Sequence, residues 1–456
     1  MKSHTPIAAL AAVALLAAGC GGRSGSDGEE TPTKAAQAVS GDFGDLKGIC
    51  KSGKATGTPA QGVTADQIKV GVFTDLGFTK NPEFVDAAKV FTSWCNDAGG
   101  VNGRKLVADV RDTKLFEVRQ RMLESCREDF ALVGGGAALD GTGVKDRLSC
   151  LLPAFPAQAV QLENNGSELQ LTQTGGGSYN RYAGYYHWLM KEGYPGSAGK
   201  VGVLSGDSPI TKALTEQVKE GLKAAGATFA YTDVFPVQGV SDWTPYAQAI
   251  KAKGVKGLVY YGDFRQLAKL EEVLTNIGYK LDWVDANNNA YNPAFLQIAG
   301  KSLASQNNLA DLSGVYPLEN ASANPATKQV IDLFAKYAPK AHVTLPVLRA
   351  FSAWLLFTKS AASCGDDLTR KCVYDAAVKE TAWTGAGLQA PVDLSQLDAP
   401  LKCFNVEKAT PQGWKPADFK PNQGAYRCDA PAYKFTGPYT KPLTLANVGK
   451  TMNDFK

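Results

Sequence analysis

Short apolar runs alternate with amphipathic stretches along most of the chain, and this alternation constrains the fold more than any other feature. Ile68–Phe73 is typical of a buried strand, and Pro82–Asn96 carries apolar residues at helical spacing. The alternation forms two blocks, about 64–172 and 175–312, and Pro325–Tyr337 indicates a further helix. Strands that alternate with helices predict mostly parallel sheets covered by helices on both faces. The sequence therefore predicts an α/β fold with two lobes.

The N-terminus has the features of an export signal. Lys2 precedes an apolar stretch, residues 7–18, that is too short to span a bilayer, and small residues then lead to Cys20. This pattern resembles a bacterial lipobox, although Leu16 lies one position further from the cysteine than usual. A plain signal peptide with a chance cysteine is the alternative. We expect a signal peptide over residues 1–19 and lipidation at Cys20.

The segment after Cys20, residues 20–62, is rich in Gly, Ser and charged residues and predicts a flexible tether. A lipidated tether would hold the mature protein at the outer face of the cytoplasmic membrane or in the periplasm. The formal charge of +4 is small and the basic residues are scattered, so we expect no nucleic-acid partner.

Nine cysteines agree with an exported protein. If Cys20 is lipidated, the remaining even number suggests up to four disulfides, but the sequence alone does not fix their pairing. Proximity along the chain favours Cys126–Cys150, Cys364–Cys372 and Cys403–Cys428, which leaves Cys50–Cys95. We expect no metal site, because the chain has no C-x-x-C pair and only His187 and His342 remain after cleavage.

Motifs for catalysis and nucleotide binding are incomplete. The glycine run at residues 134–136 lacks the third glycine of the dinucleotide fingerprint, since that position is Leu139. Asp207 and Asp263 lie near predicted strand ends, but no pair of carboxylates has a spacing diagnostic of acid–base catalysis. Helix caps and turns are the commoner roles of aspartate at such positions. We therefore expect neither an enzyme nor a cofactor.

One segment resembles a known family. Residues 96–106, NDAGGVNGRKL, indicate a helix that ends at Gly-Gly, a turn and a new strand. They also resemble the N-D-A-G-G-[IV]-N-G-[RK] segment of periplasmic binding proteins of the Leu/Ile/Val-binding type, which serve ABC transporters. Residues 62–71, 111–113 and 242–251 are similar to other segments of that family in the same order, so the resemblance covers about residues 62–298.

The resemblance implies two α/β lobes joined by a hinge of three chain crossings. Lobe one would comprise residues 63–172 and 317–396, and lobe two residues 173–316 and 397–456. A small molecule would bind in the cleft between the lobes, and the closed protein, which we expect to be a monomer, would dock on an ABC permease. A lipid-anchored receptor or sensor with the same fold and no transporter is the alternative.

Loops at the carboxyl ends of strands line ligand sites in such sheets. Applied to the implied lobes, this rule gives the following ligand-binding candidates: Phe78, Gly136, Ala137, Ala157, Gln158, Asp207, Tyr261, Asp263, Phe264, Asn288 and Tyr291. The aromatic residues would supply apolar walls and hydroxyl groups, and the loop backbone would hold polar groups of the ligand.

Three departures from the family pattern bear on the ligand. Amino-acid binders of this family carry hydroxyl residues after strands three and four and an acidic residue in lobe two. This chain instead has Gly135–Ala138, Gln158 and Asn287–Asn289 near those positions. Because a buried, unpaired ammonium group is costly, we expect a ligand other than an ordinary α-amino acid.

Overall fold

The computed structural model describes residues 39–456 apart from residues 58 and 237. The predicted signal peptide and the predicted lipidation site, Cys20, lie outside the described residues. Among the helices that are described, none is both long and apolar enough to cross a membrane.

Two sheets organise the described chain. The first contains β1 (Gln67–Thr74), β2 (Lys105–Asp112), β3 (Leu132–Val133) and β4 (Ala154–Phe155). These strands are parallel and lie in the order β2-β1-β3-β4. The second contains β5 (Val201–Asp207), β6 (Phe229–Pro236), β7 (Gly257–Tyr261), β8 (Trp283–Asp285), β9 (Asn308–Asp311), β10 (Val406–Thr410) and β11 (Gly413–Pro416). Its order is β11-β10-β9-β8-β7-β5-β6; β10 pairs antiparallel with both β9 and β11, and the other pairs are parallel.

Helices cover both sheets. Lobe one begins with α1 (Leu76–Thr79), α2 (Glu83–Asp97), α3 (Val118–Glu128) and α4 (Val144–Ser149). Lobe two carries α5 (Ala183–Trp188), α6 (Pro209–Ala224), α7 (Thr244–Ala252), α8 (Phe264–Asn276) and α9 (Pro293–Ala299). The chain then returns to lobe one as α10 (Pro325–Tyr337), α11 (Leu345–Cys364) and α12 (Arg370–Val378). The predicted α/β architecture of two mostly parallel sheets is confirmed.

The core of lobe one is built around α11. This helix is apolar on nearly all sides, and most of its residues are buried, as expected of a central helix. Phe351 and Trp354 pack against Phe91 of α2 with ring centroids 5.6 and 5.4 Å apart. A smaller apolar cluster, which includes Phe73 and Met122, lies against α3.

Residues 39–57 correct the predicted tether. Phe43, Ile49 and Cys50 are buried in the core of lobe one, and the ring of Phe43 lies 6.1 Å from that of Phe351. Cys50 is bonded to Cys95 of α2. The prediction of a flexible tether is therefore wrong for residues 39–50. The composition of the segment is mostly polar, so composition alone does not reveal the few apolar side chains that are buried.

Residues 443–456 correct the predicted extent of lobe two. Leu445 and Phe455 are buried in the core of lobe one, and the ring of Phe455 lies 5.6 Å from that of Tyr374 in α12. The segment just before them is held on lobe two, where the Thr436 N–H donates to Glu220 of α6 at 2.6 Å. The chain thus passes between the lobes a fourth time, after the crossings near residues 172–182, 312–317 and 389–405.

Covalent and polar links fix the lobes and the hinge. The disulfides are Cys126–Cys150, Cys364–Cys372 and Cys403–Cys428, which proximity along the chain favours, and Cys50–Cys95, the pair that these leave. In the hinge, Asn405 joins the second and third crossings, because its side chain accepts from Gly314 N at 2.9 Å and donates to Val315 O at 2.8 Å.

Candidate functional site

The loops of lobe one that face lobe two are fixed by one carboxylate. Asp75, directly after β1, is buried and accepts hydrogen bonds from Leu115 N at 3.1 Å, from Ala138 N at 2.7 Å and from the Thr113 hydroxyl. These donors follow β2 and β3, so Asp75 ties together the loops after three strands. Hydrogen bonds to buried carboxylates are strong and directional, and this edge of lobe one is therefore preorganised.

Four of the predicted site residues come together at this edge. Ala157 N donates to Gly135 O at 2.9 Å, which links the loops after β3 and β4. A Cβ atom on Gly136 would lie only 2.4 Å from Gln158 Cγ, so the close approach of the two loops requires glycine there. Ala137 and Ala157 are buried, and Gln158 is half-buried. Phe78, in contrast, lies on α1 with 55% of its surface exposed.

Two predicted acidic residues of lobe two make local structural contacts. Asp263 caps α8 by accepting from Arg265 N at 2.7 Å, the role that aspartate often takes at a helix start. Asp207, at the end of β5, is half-exposed and pairs with Lys212 at 2.6 Å. Neither contact points to a ligand.

Other predicted residues of lobe two also have protein partners. The ring of Phe264 packs edge-on against Phe295 at 6.4 Å. Tyr291 is buried, and its hydroxyl accepts from Leu318 N at 2.7 Å and donates to Glu319. Asn288 begins a short 3-10 turn, Asn288–Ala290, and is half-buried. Tyr261 ends β7; burial raises the pKa of its hydroxyl well above the ordinary value, and charges around it, including that of Asp285, act on it too.

Those charges form a group that we call the interlobe polar cluster. It is defined by Arg181, Tyr182, Tyr261, Asp285, Asp311 and Arg349. Asp285 ends β8 and Asp311 ends β9, the two neighbouring strands of lobe two. Arg349 comes from the second turn of α11 in lobe one. Polar groups from both lobes therefore meet at the carboxyl edge of sheet two, where ligands bind in open α/β sheets.

The two carboxyl groups of the cluster have few partners. Burial raises the pKa of Asp285 to about 7, against a hydrogen bond from Asn287 N at 3.1 Å. Burial also raises the pKa of Asp311 to about 7, although Ser313 N donates to it at 2.9 Å. Strongly shifted pKa values in a cleft mark candidate functional groups.

One arginine of the cluster has a donor without a partner. Arg349 is 9% exposed, its Nε has no hydrogen-bond partner, and burial lowers the pKa of its guanidinium to about 10. It lines a small recess in the hinge, about 340 Å³ including space open to solvent, together with Gln173, whose buried Nε2 also has no partner. Arg181 Nη2 reaches across the cleft to Ala159 O of lobe one at 3.5 Å.

The sequence of the chain matches one protein family over most of its length. Residues 67–403 match the model of the family described as periplasmic binding protein. The chain belongs to this periplasmic binding protein family. The predicted resemblance to the Leu/Ile/Val-binding type is thereby confirmed, and the family assignment gives the chain a solute-binding role outside the cytoplasm. Comparison with curated protein sequences gives no significant match.

Solved structures agree with this fold. A fatty acid ABC transporter substrate-binding protein from Thermomonospora curvata has a TM-score of 0.66 at 20% identity, with 86% of this chain and 99% of that chain covered. A leucine-binding protein, LivK, from Thermotoga maritima has a TM-score of 0.63 at 13% identity, with 77% and 97% covered. The substrate-binding protein LivJ from Streptococcus pneumoniae, in complex with isoleucine, has a TM-score of 0.59 at 15% identity, with 76% and 96% covered.

Sequence reasoning missed most of the interlobe polar cluster. A usable signal existed for Asp285 and Asp311, because each is the last residue of a short apolar strand. No local signal marks Arg349, which lies in an almost wholly apolar helix that is remote in sequence. Its proximity to Asp311 follows only from the second crossing, which brings the chain back into lobe one.

Proposed function

We propose that the protein is a lipoprotein, anchored at Cys20, that captures a small solute between its lobes and delivers it to an ABC importer. The interlobe polar cluster is the observation that carries this proposal. Its buried carboxyl groups lie on lobe two, and Arg349 of lobe one has a buried Nε without a hydrogen-bond partner. A solute that contacts both lobes favours the closed form by the difference between its affinities for the two forms.

The chemistry of the cluster favours a ligand with a carboxylate group. Arg181 and Arg349 provide cationic donors, and arginine is well suited to bind carboxylates. The solved neighbours named above are described as binding fatty acids, leucine or isoleucine, all of which carry a carboxylate. Asp285 supplies an acidic residue in lobe two that the sequence comparison overlooked. The remaining argument against an α-amino acid is the lack of hydroxyl side chains at Gly135–Ala138 and Gln158, in the loops after β3 and β4.

Solute binding can be tested by thermal unfolding of the purified protein with a panel of carboxylates, amino acids, amides and sugars. We expect a carboxylate to raise the melting temperature, because a ligand that binds only the folded state stabilises it. Arg349→Gln should remove this shift. Arg119→Gln is the matched control, since the side chain of Arg119 lies on the surface with 71% exposed. If no small solute raised the melting temperature, the receptor without a transporter would be favoured.

The anchor and the delivery step need separate measurements. Mass spectrometry of the protein from the membrane fraction should show a diacylglycerol adduct at Cys20, and Cys20→Ser should move the protein out of that fraction. Uptake of the identified solute by cells should fall when the chromosomal copy carries Arg349→Gln. Normal uptake in cells that make this variant would contradict the importer role.

A further inference from the structure

The end of lobe two that lies opposite to the cleft carries a group of lysines that no role described above uses. In a parallel α/β sheet the strands begin at the edge opposite to the ligand site, and the preceding helices end there. At this edge of sheet two, nine lysines lie in the segments 194–200, 223–230, 251–257, 276–283, 300–308 and 408–415. We call them the basic edge: Lys200, Lys223, Lys251, Lys253, Lys256, Lys280, Lys301, Lys408 and Lys415. The same segments contain a single carboxylate, that of Asp282.

Lysines from different segments of the basic edge lie side by side. Lys408 is half-buried and the other eight are exposed. Lys256 N donates to Lys200 O at 2.8 Å, so the starts of β7 and β5 bring these two residues together. Lys408 of β10 lies opposite Lys415 of β11, an arrangement of like charges that is destabilising. Burial lowers the pKa of Lys408, and repulsion from Lys415 and Lys280 lowers it further.

Carboxylates do not neutralise the basic edge within the described part of the chain. There, the ion pairs formed by lysines of lobe two are Lys212–Asp207 and Lys219–Glu216, and neither lysine belongs to the basic edge. The carboxylate of Asp282 accepts from a serine hydroxyl at 2.7 Å. A group of like charges that repel one another and have no carboxylate partner creates a strongly positive surface, which attracts a partner of negative charge.

The ends of helices do not account for this charge. Lysine is favoured at the C-terminal end of a helix, because it complements the helix dipole. Helices of lobe one end at the corresponding edge of sheet one, where the segments are residues 60–67, 97–105, 127–132 and 149–154. These segments carry four acidic and three basic residues: Asp66, Asp97, Glu128, Asp129, Arg104, Lys105 and Arg127. The excess of positive charge is therefore particular to lobe two.

We infer that the basic edge binds a membrane surface rich in anionic phospholipids. Interfaces between proteins are poor in lysine and rich in aromatic residues, whereas clusters of basic residues are typical of contacts with anionic lipid head groups. The inference rests on the proposed lipid anchor, which would hold the chain beside such a surface. Because the cleft lies at the opposite edge of sheet two, a protein that rests on its basic edge turns this side of the cleft away from the membrane, where solutes arrive.

The test is co-sedimentation of the full chain carrying Cys20→Ser with two kinds of vesicle. One kind is made of phosphatidylcholine alone, and the other of phosphatidylcholine and phosphatidylglycerol in equal parts. The substitution removes the lipidation site, so the difference between the vesicles reports on the protein surface. We expect much stronger binding to the vesicles with phosphatidylglycerol, and its loss in about 0.5 M salt, which screens charges beyond about 4 Å. Equal binding to both kinds of vesicle, or binding to neither, would overturn the inference.

Variants with fewer lysines locate the binding surface. Replacing Lys251, Lys253 and Lys256 together by glutamine should weaken binding to the phosphatidylglycerol vesicles about tenfold or more, because each lysine near an anionic surface contributes about a factor of five. The matched control carries the same charge change on lobe one, through glutamine at three exposed lysines: Lys89, Lys340 and Lys379. If both variants bind equally weakly, the net charge and not the basic edge determines binding, and the inference fails.

A second variant protects the test against misfolding. Lys223→Gln combined with Lys301→Gln removes charge from two other segments of the basic edge and should also weaken binding to the phosphatidylglycerol vesicles. A melting curve for each variant verifies folding.

Failure of this inference is distinct from failure of the proposed function. If cells attach a lipid to Cys20 and a solute raises the melting temperature, but the vesicles do not bind the Cys20→Ser protein, only the role of the basic edge is wrong. If Cys20 carries no lipid in cells, the proposed anchor fails, and the vesicle assay still decides whether the basic edge binds anionic lipid.

Discussion

The buried carboxyl group of Asp285 makes the free energy of unfolding depend on pH in a direction opposite to that of most aspartates. Its pKa rises from 3.8 to about 7 on folding, because burial disfavours the charged form. The folded protein therefore holds this proton between about pH 4 and pH 7, where the unfolded chain has released it. The free energy of unfolding falls as the pH rises through that window, and the penalty is fully present above about pH 8.

Asp285→Asn should remove this penalty. Each pKa unit corresponds to about 1.36 kcal/mol, so the shift sets a ceiling of about 4 kcal/mol. The neighbouring Asp311 shares the same environment, and local relaxation reduces such penalties, so we expect a gain of about 2 kcal/mol at pH 8. An asparagine side chain also retains an oxygen that accepts from Asn287 N, which now donates to Asp285 at 3.1 Å.

The measurement is urea denaturation followed by tryptophan fluorescence at pH 4, 6 and 8. The Asp285→Asn variant should match the unmodified protein at pH 4 and exceed its free energy of unfolding increasingly at pH 6 and pH 8. Asp207→Asn is the control, because Asp207 ends the strand β5 in the same sheet but is half-exposed. The reasoning is refuted if Asp285→Asn is no more stable than the unmodified protein at pH 8, or if the two proteins show the same pH dependence.

Three further predictions concern the links described above. Hydrogen bonds from the C-terminal segment lower the pKa of Glu220 to about 2, although burial acts in the opposite direction. Glu220→Gln should therefore lower the free energy of unfolding by about 2 kcal/mol at pH 7 and by less at pH 3, as measured by urea titration. The disulfide Cys50–Cys95 closes a loop of 45 residues, and replacing both cysteines with alanine should cost about 4 kcal/mol in the same assay. Gly136→Ala would place a Cβ atom 2.4 Å from Gln158 Cγ, so it should lower the free energy of unfolding by about 1–2 kcal/mol and weaken solute binding in calorimetry. Unchanged stability and binding would show that the loop can move to make room for the methyl group.

The parts of the fold that the sequence could predict are those specified by local patterns. The predicted helix Pro325–Tyr337 has the bounds of α10, because a proline begins it and its apolar spacing is regular. The strand β6 lacks such a pattern, since it lies at the edge of sheet two and has only two buried residues, Tyr231 and Phe235, separated by exposed ones. Edge strands of this kind resemble loops in composition.

The candidate site was less predictable, for a physical reason. Loops after strands can be located from the sequence, and the loops that carry Gly136 and Gln158 do follow β3 and β4. Which of their side chains face a ligand depends on contacts between distant segments. The sequence predicts that Tyr291 contacts a ligand, but its hydroxyl is hydrogen-bonded to Leu318 and Glu319, which directly follow the second crossing. Arg349 looked like one cation in an apolar helix, but folding places it among groups from both lobes.

The fourth passage of the chain between the lobes has a consequence for the order of folding. Lobe one is assembled from residues near both ends of the described chain, since Phe43 and Phe455 belong to the same core. During synthesis, sheet two from β5 to β9 can form its parallel pairs as soon as residue 311 is available. The core that contains the first described residues is completed only when the last residues arrive. The N-terminal lobe of this protein is therefore the last to be finished.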